Sequence, residues 1–477
     1  MNITLIQWLQ LLVSLSLLVV LHEGGHFGFA KLFKVRVEKF FMFFDYKFHL
    51  FSTRDNWFTR LFPRFKNNET EYGIGWIPLG GYVKIAGMVD ESLDTEQMKQ
   101  EAKPDEFRSQ KIWKRFLIMV GGVLVNLLTA FAIYSGMMLA NGEDRLPVRN
   151  ITNGLVYNQE AQAIGFRNGD VPIRIDNNEI EYLPGGSVSY LMQDFSEAQT
   201  VTVLRDDKEV TLQMPVDGIS LLDMLEMQPP FMQLLTYSDV SKVAEGSAAA
   251  KAGMKDGARL TAIDGTPIQY WSDFDSLYQR KMDVLSLKTC THADSIKQRM
   301  MTVAFLNPGA SQPDTVTLQL DEDYRMGVNR SFSLLEYEFE HIDYNLLTCV
   351  PAGVKYGWQT LVDYVRNLKY VATAKGAKSV GSFFTIADIF PKAWDWNRFW
   401  HLTALISIIL AVMNILPIPG LDGGHVVILL FEAITGRQPS EKVMVWLEYI
   451  GLACIIALML LALGNDIRRF ILPWFFG

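Results

Sequence analysis

The hydrophobic and polar positions are unevenly distributed along the chain. Residues 1–21, 116–142 and 399–421 contain no Asp, Glu, Lys or Arg, and each stretch reaches the roughly 20 residues that cross the hydrocarbon core of a bilayer. A fourth apolar stretch, 443–464, contains one acid, Glu448. The pattern predicts four transmembrane helices and excludes a wholly soluble protein.

The basic residues beside these stretches predict their direction. Such residues follow the first span and precede the second: Lys31, Lys34, Arg36, Lys39, Lys111, Lys114 and Arg115. Because Lys and Arg concentrate on the cytoplasmic side, we expect the N-terminus outside and residue 31 onward in the cytoplasm. Four spans then place the C-terminus outside, which Arg468 and Arg469 oppose mildly.

The region between the first two spans predicts β-structure close to the membrane. Residues 37–51 are rich in aromatic side chains, and residues 71–87 combine β-formers with five glycines. This composition is typical of short strands joined by tight turns. The acidic stretch 90–111 is expected to be a solvated cytoplasmic segment.

An internal repeat marks residues 144–340. Residues 161–180 (AQAIGFRNGDVPIRIDNNEI) align with 249–268 (AAKAGMKDGARLTAIDGTPI), and VTLQM at 210–214 matches VTLQL at 316–320. Each copy predicts a Gly-marked turn, a strand, a tight turn, a short helix and alternating strands.

Both copies, 144–218 and 235–330, resemble PDZ domains, the first less closely because Asn177 replaces a turn glycine. The two copies are offset by more residues at the second match, 210–214 with 316–320, than at the first. This difference predicts an insertion in the second copy, within 283–300. PDZ domains bind an extended peptide by adding a strand to a sheet edge. The alternative is a pair of spacers with closed grooves.

Residues 351–372 predict an amphipathic helix. Its apolar positions recur at spacings of four and three residues: Val354, Trp358, Leu361, Val365 and Leu368. We expect it to lie on the outer membrane surface; a helix packed wholly on protein is the alternative. The full predicted order is a first span (1–30), a β region (31–113), a second span (114–141), the two modules, a linker (331–398), a third span (399–425), a cytoplasmic segment (426–442), a fourth span (443–464) and a tail (465–477).

Charge and cysteine content exclude other classes of protein. The net charge is −8 and the basic residues form no dense run, so we expect no nucleic-acid partner. The three cysteines have no metal-site or disulfide spacing. A metal site would therefore use histidine and carboxylate ligands.

The sequence HEGGH at 22–26 carries the strongest chemical signal. His22 and His26 are four residues apart, so on a helix they share one face and can bind one zinc ion. Glu23 is placed to accept a proton from zinc-bound water. Ionisable residues at a membrane are costly and are usually functional.

A catalytic zinc site needs a third protein ligand, and two candidates follow the third span. Asp422 and His425 both lie in NILPIPGLDGGH, 414–425, at the expected depth of HEGGH. Zinc chemistry alone slightly favours His425, and Asp422 could instead cap the following helix, Val426–Phe431. The spacing leaves this choice open.

HEGGH in the first span, together with N-x-x-P…LDG after the third, resembles the site-2 proteases, which are intramembrane zinc metalloproteases. Two PDZ-like modules between spans two and three make the chain similar to the bacterial RseP (regulator of sigma-E protease) type. The resemblance implies a single Zn²⁺ bound by His22, His26 and Asp422, with His425 not coordinated and Glu23 as the catalytic base.

The resemblance also implies residues that bind substrate. IPLGGYVKIAG at 77–87 is similar to the family's membrane-associated β-hairpin, and GGVLVN at 121–126 to its second-span G-P-x-x-N motif, with Val123 in place of proline. The implied substrate-binding residues are Asn414, Gly80, Gly81, Tyr82 and Asn126.

The expected fold is a polytopic α-helical membrane protein with four transmembrane helices, a membrane-associated β-hairpin and two extracytoplasmic PDZ-like domains of β-rich α+β type. The implied function is cleavage of single-span membrane proteins, such as anti-sigma factors or signal-peptide remnants, after a separate protease has cut first. The implied location is the bacterial inner membrane, with the active site near the cytoplasmic face. The alternative is a zinc-stabilised, non-enzymatic PDZ adaptor, which the glutamate of HEGGH disfavours because a structural zinc site needs no base.

Overall fold

A computed structural model describes residues 3–65, 68–88, 101–216, 218–285, 297, 299–320, 325–330, 337–371, 373–437 and 439–472. Much of the predicted acidic segment and of the predicted insertion lies outside the described residues. The chain divides into one unit formed by Met1–Gly142 with Asp343–Gly477 and a second formed by Glu143–Ile342.

The described α-helices, in chain order, are α1 (Leu5–Leu32), α2 (Asn56–Leu61), α3 (Ile112–Asn141), α4 (Gln159–Ile164), α5 (Ser189–Glu197), α6 (Leu221–Glu226), α7 (Ala248–Lys251), α8 (Trp271–Leu285), α9 (Cys349–Val371), α10 (Ala374–Ser379), α11 (Phe383–Ile389), α12 (Trp396–Ile415), α13 (Asp422–Thr435) and α14 (Glu441–Asp466).

The described strands are β1 (Val37–Ser52), β2 (Glu71–Ile85), β3 (Glu143–Pro147), β4 (Leu155–Tyr157), β5 (Val171–Ile175), β6 (Asn178–Glu179), β7 (Tyr182–Pro184), β8 (Thr200–Arg205), β9 (Lys208–Gln213), β10 (Met232–Leu234), β11 (Val240–Val243), β12 (Arg259–Ile263), β13 (Thr266–Pro267), β14 (Met300–Leu306), β15 (Asp314–Gln319), β16 (Val328–Arg330) and β17 (Glu340–Ile342).

The four predicted spans are confirmed as helices. Four helical segments are long and apolar enough to cross a membrane: Leu5–Leu32, Ile112–Asn141, Trp396–Ile415 and Val443–Phe470. A helix suits these charge-poor stretches because it satisfies its backbone hydrogen bonds within the segment, which lipid cannot do. The chain is therefore a multi-pass membrane protein.

The first three spans pack through small residues and buried polar side chains. A Cβ atom added at Gly25 of α1 would lie 2.6 Å from the carbonyl carbon of Gly121 in α3, so the two backbones are in contact. The Thr403 hydroxyl of α12 donates to Ser14 Oγ of α1 at 3.0 Å. Close backbone approach and interhelical hydrogen bonds take the place of a hydrophobic driving force between helices in lipid.

A break in the helix separates the third span from Asp422. Helix α12 stops at Ile415, and Pro417 and Pro419 cannot donate a helical hydrogen bond. Gly420 then adopts φ +85°, a left-handed turn conformation that glycine adopts readily. Asp422 is the first residue of α13. The N-cap position belongs to Leu421, and no side chain caps the helix there. The capping role considered for Asp422 is therefore wrong.

Strands β1 and β2 each pair more than once and so form a four-segment mixed sheet, in which residues 39–42 and 71–74 run in the same direction and the other neighbouring segments are antiparallel. Residues 37–42 pair with 81–85 on one side and with 71–74 on the other. Residues 49–52 in turn pair with 73–75. Within the part of the chain that the structure describes, residues 81–85 therefore form one edge of the sheet.

Helix α9 confirms the predicted amphipathic helix and packs on α3 through a narrow face. Added Cβ atoms would clash with Ser135 at Gly353 and with Phe131 at Gly357. Val354, Trp358 and Val365 remain 37, 57 and 50% exposed. Part of its apolar face is thus exposed in the described structure, as expected of a helix that lies on a membrane surface.

The second unit contains two sheets of matching connectivity. One has the order β6-β5-β8-β9 and the other β13-β12-β14-β15. At equivalent turns, Asp176 and Asp264 adopt φ +49° and +47°, and each carboxylate accepts a hydrogen bond from a backbone N–H, of Thr200 and Thr302 respectively. The internal repeat thus corresponds to a repeated structural unit.

Candidate metal centre and active site

The two histidines of HEGGH lie on one face of α1 and turn toward a common point. Their Nε2 atoms are 3.3 Å apart. The His26 side chain is buried, and that of His22 is 12% exposed. The helical spacing of four residues places them together, as the sequence indicates.

The break after α12 brings Asp422 to the same point. Asp422 Oδ2 lies 3.4 Å from His22 Nε2 and 3.3 Å from His26 Nε2. The group His22, His26 and Asp422 has metal-ligand spacing, and His425 is not part of it. This is the set implied by the resemblance, and it depends on the break after α12.

The three atoms fit a tetrahedral zinc ion. With zinc–ligand bonds of about 2.0–2.1 Å, neighbouring ligands of a tetrahedron are about 3.3 Å apart, which matches the observed separations of 3.3–3.4 Å. Asp422 Oδ2 is buried and accepts no hydrogen bond from the described residues. A buried carboxylate oxygen that faces two ring nitrogens is the expected arrangement of a metal site.

Helix α3 contacts the Nδ1 atoms of both imidazole rings, here called the outer nitrogens. The carbonyl oxygen of Ile118 lies 2.8 Å from His26 Nδ1, and Asn126 Nδ2 lies 3.1 Å from His22 Nδ1. Such outer contacts orient the ring and select its tautomer. Gly122 permits this approach: an added Cβ there would lie 2.6 Å from His22 Cε1.

A cavity of about 700 Å³ opens beside the three ligand atoms. It is lined by the remaining residues singled out from the sequence: Glu23, Gly80, Gly81, Tyr82, Asn126, Asn414 and His425. The structure therefore brings all the candidate residues to one cavity. Its volume lies within the range of about 300–1,000 Å³ typical of ligand sites.

The sheet wall of this cavity carries a polar anchor. The Tyr82 hydroxyl donates to Asp45 Oδ1 at 2.9 Å, and Lys39 Nζ lies 3.1 Å from Asp45 Oδ2. Partial burial acts to raise the pKa of Asp45, but the hydrogen bonds from Lys39 and Tyr82 outweigh it and hold the pKa below its usual value. Asp45 thus fixes Tyr82 at the cavity wall.

Sequence reasoning missed several residues around the centre. The Ile118 carbonyl is a backbone group and leaves no signal in the sequence. The pair formed by Arg115 Nη2 and Glu432 Oε1, 2.5 Å apart and buried, joins α3 to α13. In the sequence, Arg115 indicates only the cytoplasmic side of the second span. Gly122 belongs to a recognised motif, but its closeness to the histidines required the packing of α1 on α3.

Comparison with known proteins gives a consistent family. The model of peptidase family M50 matches residues 10–458. A protein from Neisseria meningitidis named as a zinc metalloprotease is 28% identical over 97% of this chain and 98% of its own length. The regulator of sigma E protease from Salmonella typhi is 26% identical over 96% and 97%, as is the regulator of sigma-E protease RseP from Salmonella typhimurium.

The family match spans more than nine-tenths of the chain and includes His22, His26 and Asp422, the three candidate ligands. The predictions of a metallopeptidase and of zinc as cofactor are confirmed, and a non-enzymatic adaptor is not favoured. The chain is a zinc-dependent membrane metalloprotease that belongs to peptidase family M50.

Proposed function

We propose that this protein hydrolyses peptide bonds within or near the membrane segments of single-span proteins, with one zinc ion held by His22, His26 and Asp422. The observation that carries the proposal is the near-equal spacing of three ligand atoms beside Glu23 in one cavity. With three protein ligands, one tetrahedral position is left open, as catalytic zinc sites require.

In the proposed reaction Glu23 moves the proton. Bound zinc supplies Lewis acidity, which makes a water molecule more acidic and polarises the peptide carbonyl. The Glu23 carboxylate takes a proton from the attacking water and then delivers it to the amine of the leaving fragment. The buried ring of His26 and the apolar helices around it limit access of bulk water, which strengthens charge interactions in the site.

The substrate is proposed to bind as an extended strand along residues 81–85. Residues 81–85 pair with β1 through one side, as at Phe40↔Val83 and Phe41↔Tyr82, so a substrate strand would be added along the other side. The edge of a sheet is a template for another strand. Gly80, Gly81, Tyr82 and Asn414 line the cavity beside this edge and are proposed to contact the substrate.

We also propose that the enzyme acts second, after another protease has shed the substrate's outer domain, on substrates of the anti-sigma-factor or signal-peptide-remnant kind. The two repeated modules, 144–218 and 235–330, are proposed to be PDZ-like domains outside the bacterial inner membrane, with the zinc site near the cytoplasmic face. Two soluble modules can exclude a bulky outer domain and admit a trimmed one. This supplies selectivity that side chains of similar membrane spans cannot.

Replacement of the base tests the catalytic role directly. Glu23→Gln keeps the size of the side chain but removes the proton acceptor. We expect loss of cleavage with full zinc content, measured by metal analysis of the purified protein. Proteomics of cells with this variant should show accumulated single-span fragments. Unchanged cleavage by Glu23→Gln would refute a protease with this base.

A matched pair of variants tests the third ligand. Asp422 and His425 line the same cavity on the first turn of α13. Asp422→Ala should abolish cleavage and weaken zinc binding, whereas His425→Ala should retain zinc. The reverse result would reassign the third ligand to His425.

A further inference from the structure

The outer nitrogens of the two histidines are held in different ways. For His26 the contact is the Ile118 carbonyl, 2.8 Å from Nδ1. A carbonyl oxygen only accepts, so His26 Nδ1 carries the proton and its Nε2 lone pair faces the metal position. For His22 the contact is a side chain, the amide of Asn126.

The two ends of that amide have opposite chemistry. With Nδ2 toward His22, the ring nitrogen Nδ1 accepts, so the proton sits on Nε2, where it blocks metal binding. In this orientation Asn126 Oδ1 is also buried and receives no hydrogen bond from the described residues. Rotation of the amide by a half turn places Oδ1 opposite Nδ1, satisfies that oxygen and frees Nε2 for the metal. The two ends have nearly the same shape, so the rotation needs no repacking.

We propose that Asn126 is a positioning residue that accepts a hydrogen bond from His22 Nδ1–H and thereby sets the metal-binding tautomer of His22. This differs from the substrate contact implied for Asn126 by resemblance, and it rests on the proposed zinc site.

The placement of Asn126 supports this role. Asn126 is fully buried, and an amide in an apolar helix is costly unless it makes hydrogen bonds. Its backbone is itself fixed, because the Ser407 hydroxyl donates to Asn126 O at 2.7 Å. Gly122, one turn earlier on the same face of α3, allows the helix to approach both rings. The Asn126 side chain therefore has a defined position, and the imidazole that it contacts is that of His22.

The test compares zinc affinity in two variants of the full-length purified enzyme. Asn126→Leu has similar volume but offers no acceptor, and should weaken zinc binding about 10–100-fold, as loss of an outer hydrogen-bond partner does. Asn126→Asp retains acceptor oxygens and should bind zinc at least as tightly as the unmodified protein. The visible spectrum of the cobalt-loaded enzyme should change in Asn126→Leu and not in Asn126→Asp. Ser135→Ala is the matched control, because it removes a side-chain hydrogen bond of α3 to the Phe131 carbonyl and leaves Asn126 and both rings unchanged, so its zinc affinity should equal that of the unmodified protein.

The results separate this inference from the proposed function. If the unmodified enzyme binds zinc and Asn126→Leu binds it equally well but with a raised KM, Asn126 contacts substrate and the inference is wrong. If Asn126→Asp loses as much zinc as Asn126→Leu, the hydrogen bond is not the cause and the inference also fails. Failure of the unmodified enzyme to bind zinc would overturn the proposed function itself. Thermal unfolding of the metal-free variants shows that each one folds.

Discussion

Gly122→Ala is the sharpest perturbation that the structure offers at the metal centre. The substitution adds one methyl group and no charge. Ala is the better helix former by about 0.5–1 kcal/mol, so by helix propensity alone α3 should become more stable. The same methyl group, however, points at the two zinc-binding rings. Stability and zinc affinity are therefore expected to respond differently.

The size of the effect follows from the distances. An added Cβ would lie 2.6 Å from His22 Cε1 and 2.8 Å from His22 Nδ1, with His26 Nε2 closer still. Ordinary contact begins near 3.4 Å, so the His22 ring must retreat by about 0.8 Å. A zinc–nitrogen bond of about 2.0–2.1 Å does not survive such a shift. Relief by movement of α3 instead would cost about 1–3 kcal/mol of overpacking.

Zinc affinity is the quantity to measure, by competition with a chromophoric chelator. The zinc affinity of Gly122→Ala should fall at least about 100-fold, which is the upper end of the effect of losing a hydrogen-bond partner of a ligand. The fall should be this large because the methyl group displaces the His22 ring, a proposed ligand, itself. Gly136→Ala is the matched control on the same helix, since an added Cβ there has nothing within 4 Å. Equal zinc affinity of Gly122→Ala and Gly136→Ala would refute the packing of α3 against the histidines.

Three further outcomes are expected. Arg115→Leu should lower the free energy of unfolding by about 3–5 kcal/mol, because it removes the cationic partner of the buried Glu432 carboxylate. The double variant with Glu432→Leu should recover most of this loss in thermal unfolding. A double variant no more stable than the single one would contradict a paired charge. Val83→Pro should reduce cleavage with zinc retained, because it removes a backbone donor at the sheet edge, whereas Val83→Ala should cleave normally. Equal cleavage of several substrates by both variants would contradict strand pairing with the substrate. Deletion of 144–330 with a short linker should allow cleavage of untrimmed substrates in a reconstituted assay. If the zinc-loaded deletion enzyme still cuts only trimmed substrates, the two modules are not what excludes bulky outer domains.

The sequence determined the elements that depend on local pattern. Three charge-free stretches and a fourth with a single acid, each long enough for a bilayer, predicted the four spans, and the four-residue spacing of His22 and His26 predicted one shared helical face. The repeat at 161–180 and 249–268 anticipated two sheets of matching connectivity. These features could be predicted because each arises from residues close in sequence, whose helical or strand period fixes their relative direction.

The tertiary structure decided which distant groups meet. Asp422 lies 400 residues from His22, and its approach to the two histidines depends on where α12 ends and on the Pro- and Gly-containing turn that follows. The roles of Gly122 and Asn126 depended on α3 lying against α1 at the distance that Gly25 permits. A local pattern contains no information on such distances, because they are set by the packing of whole helices against one another.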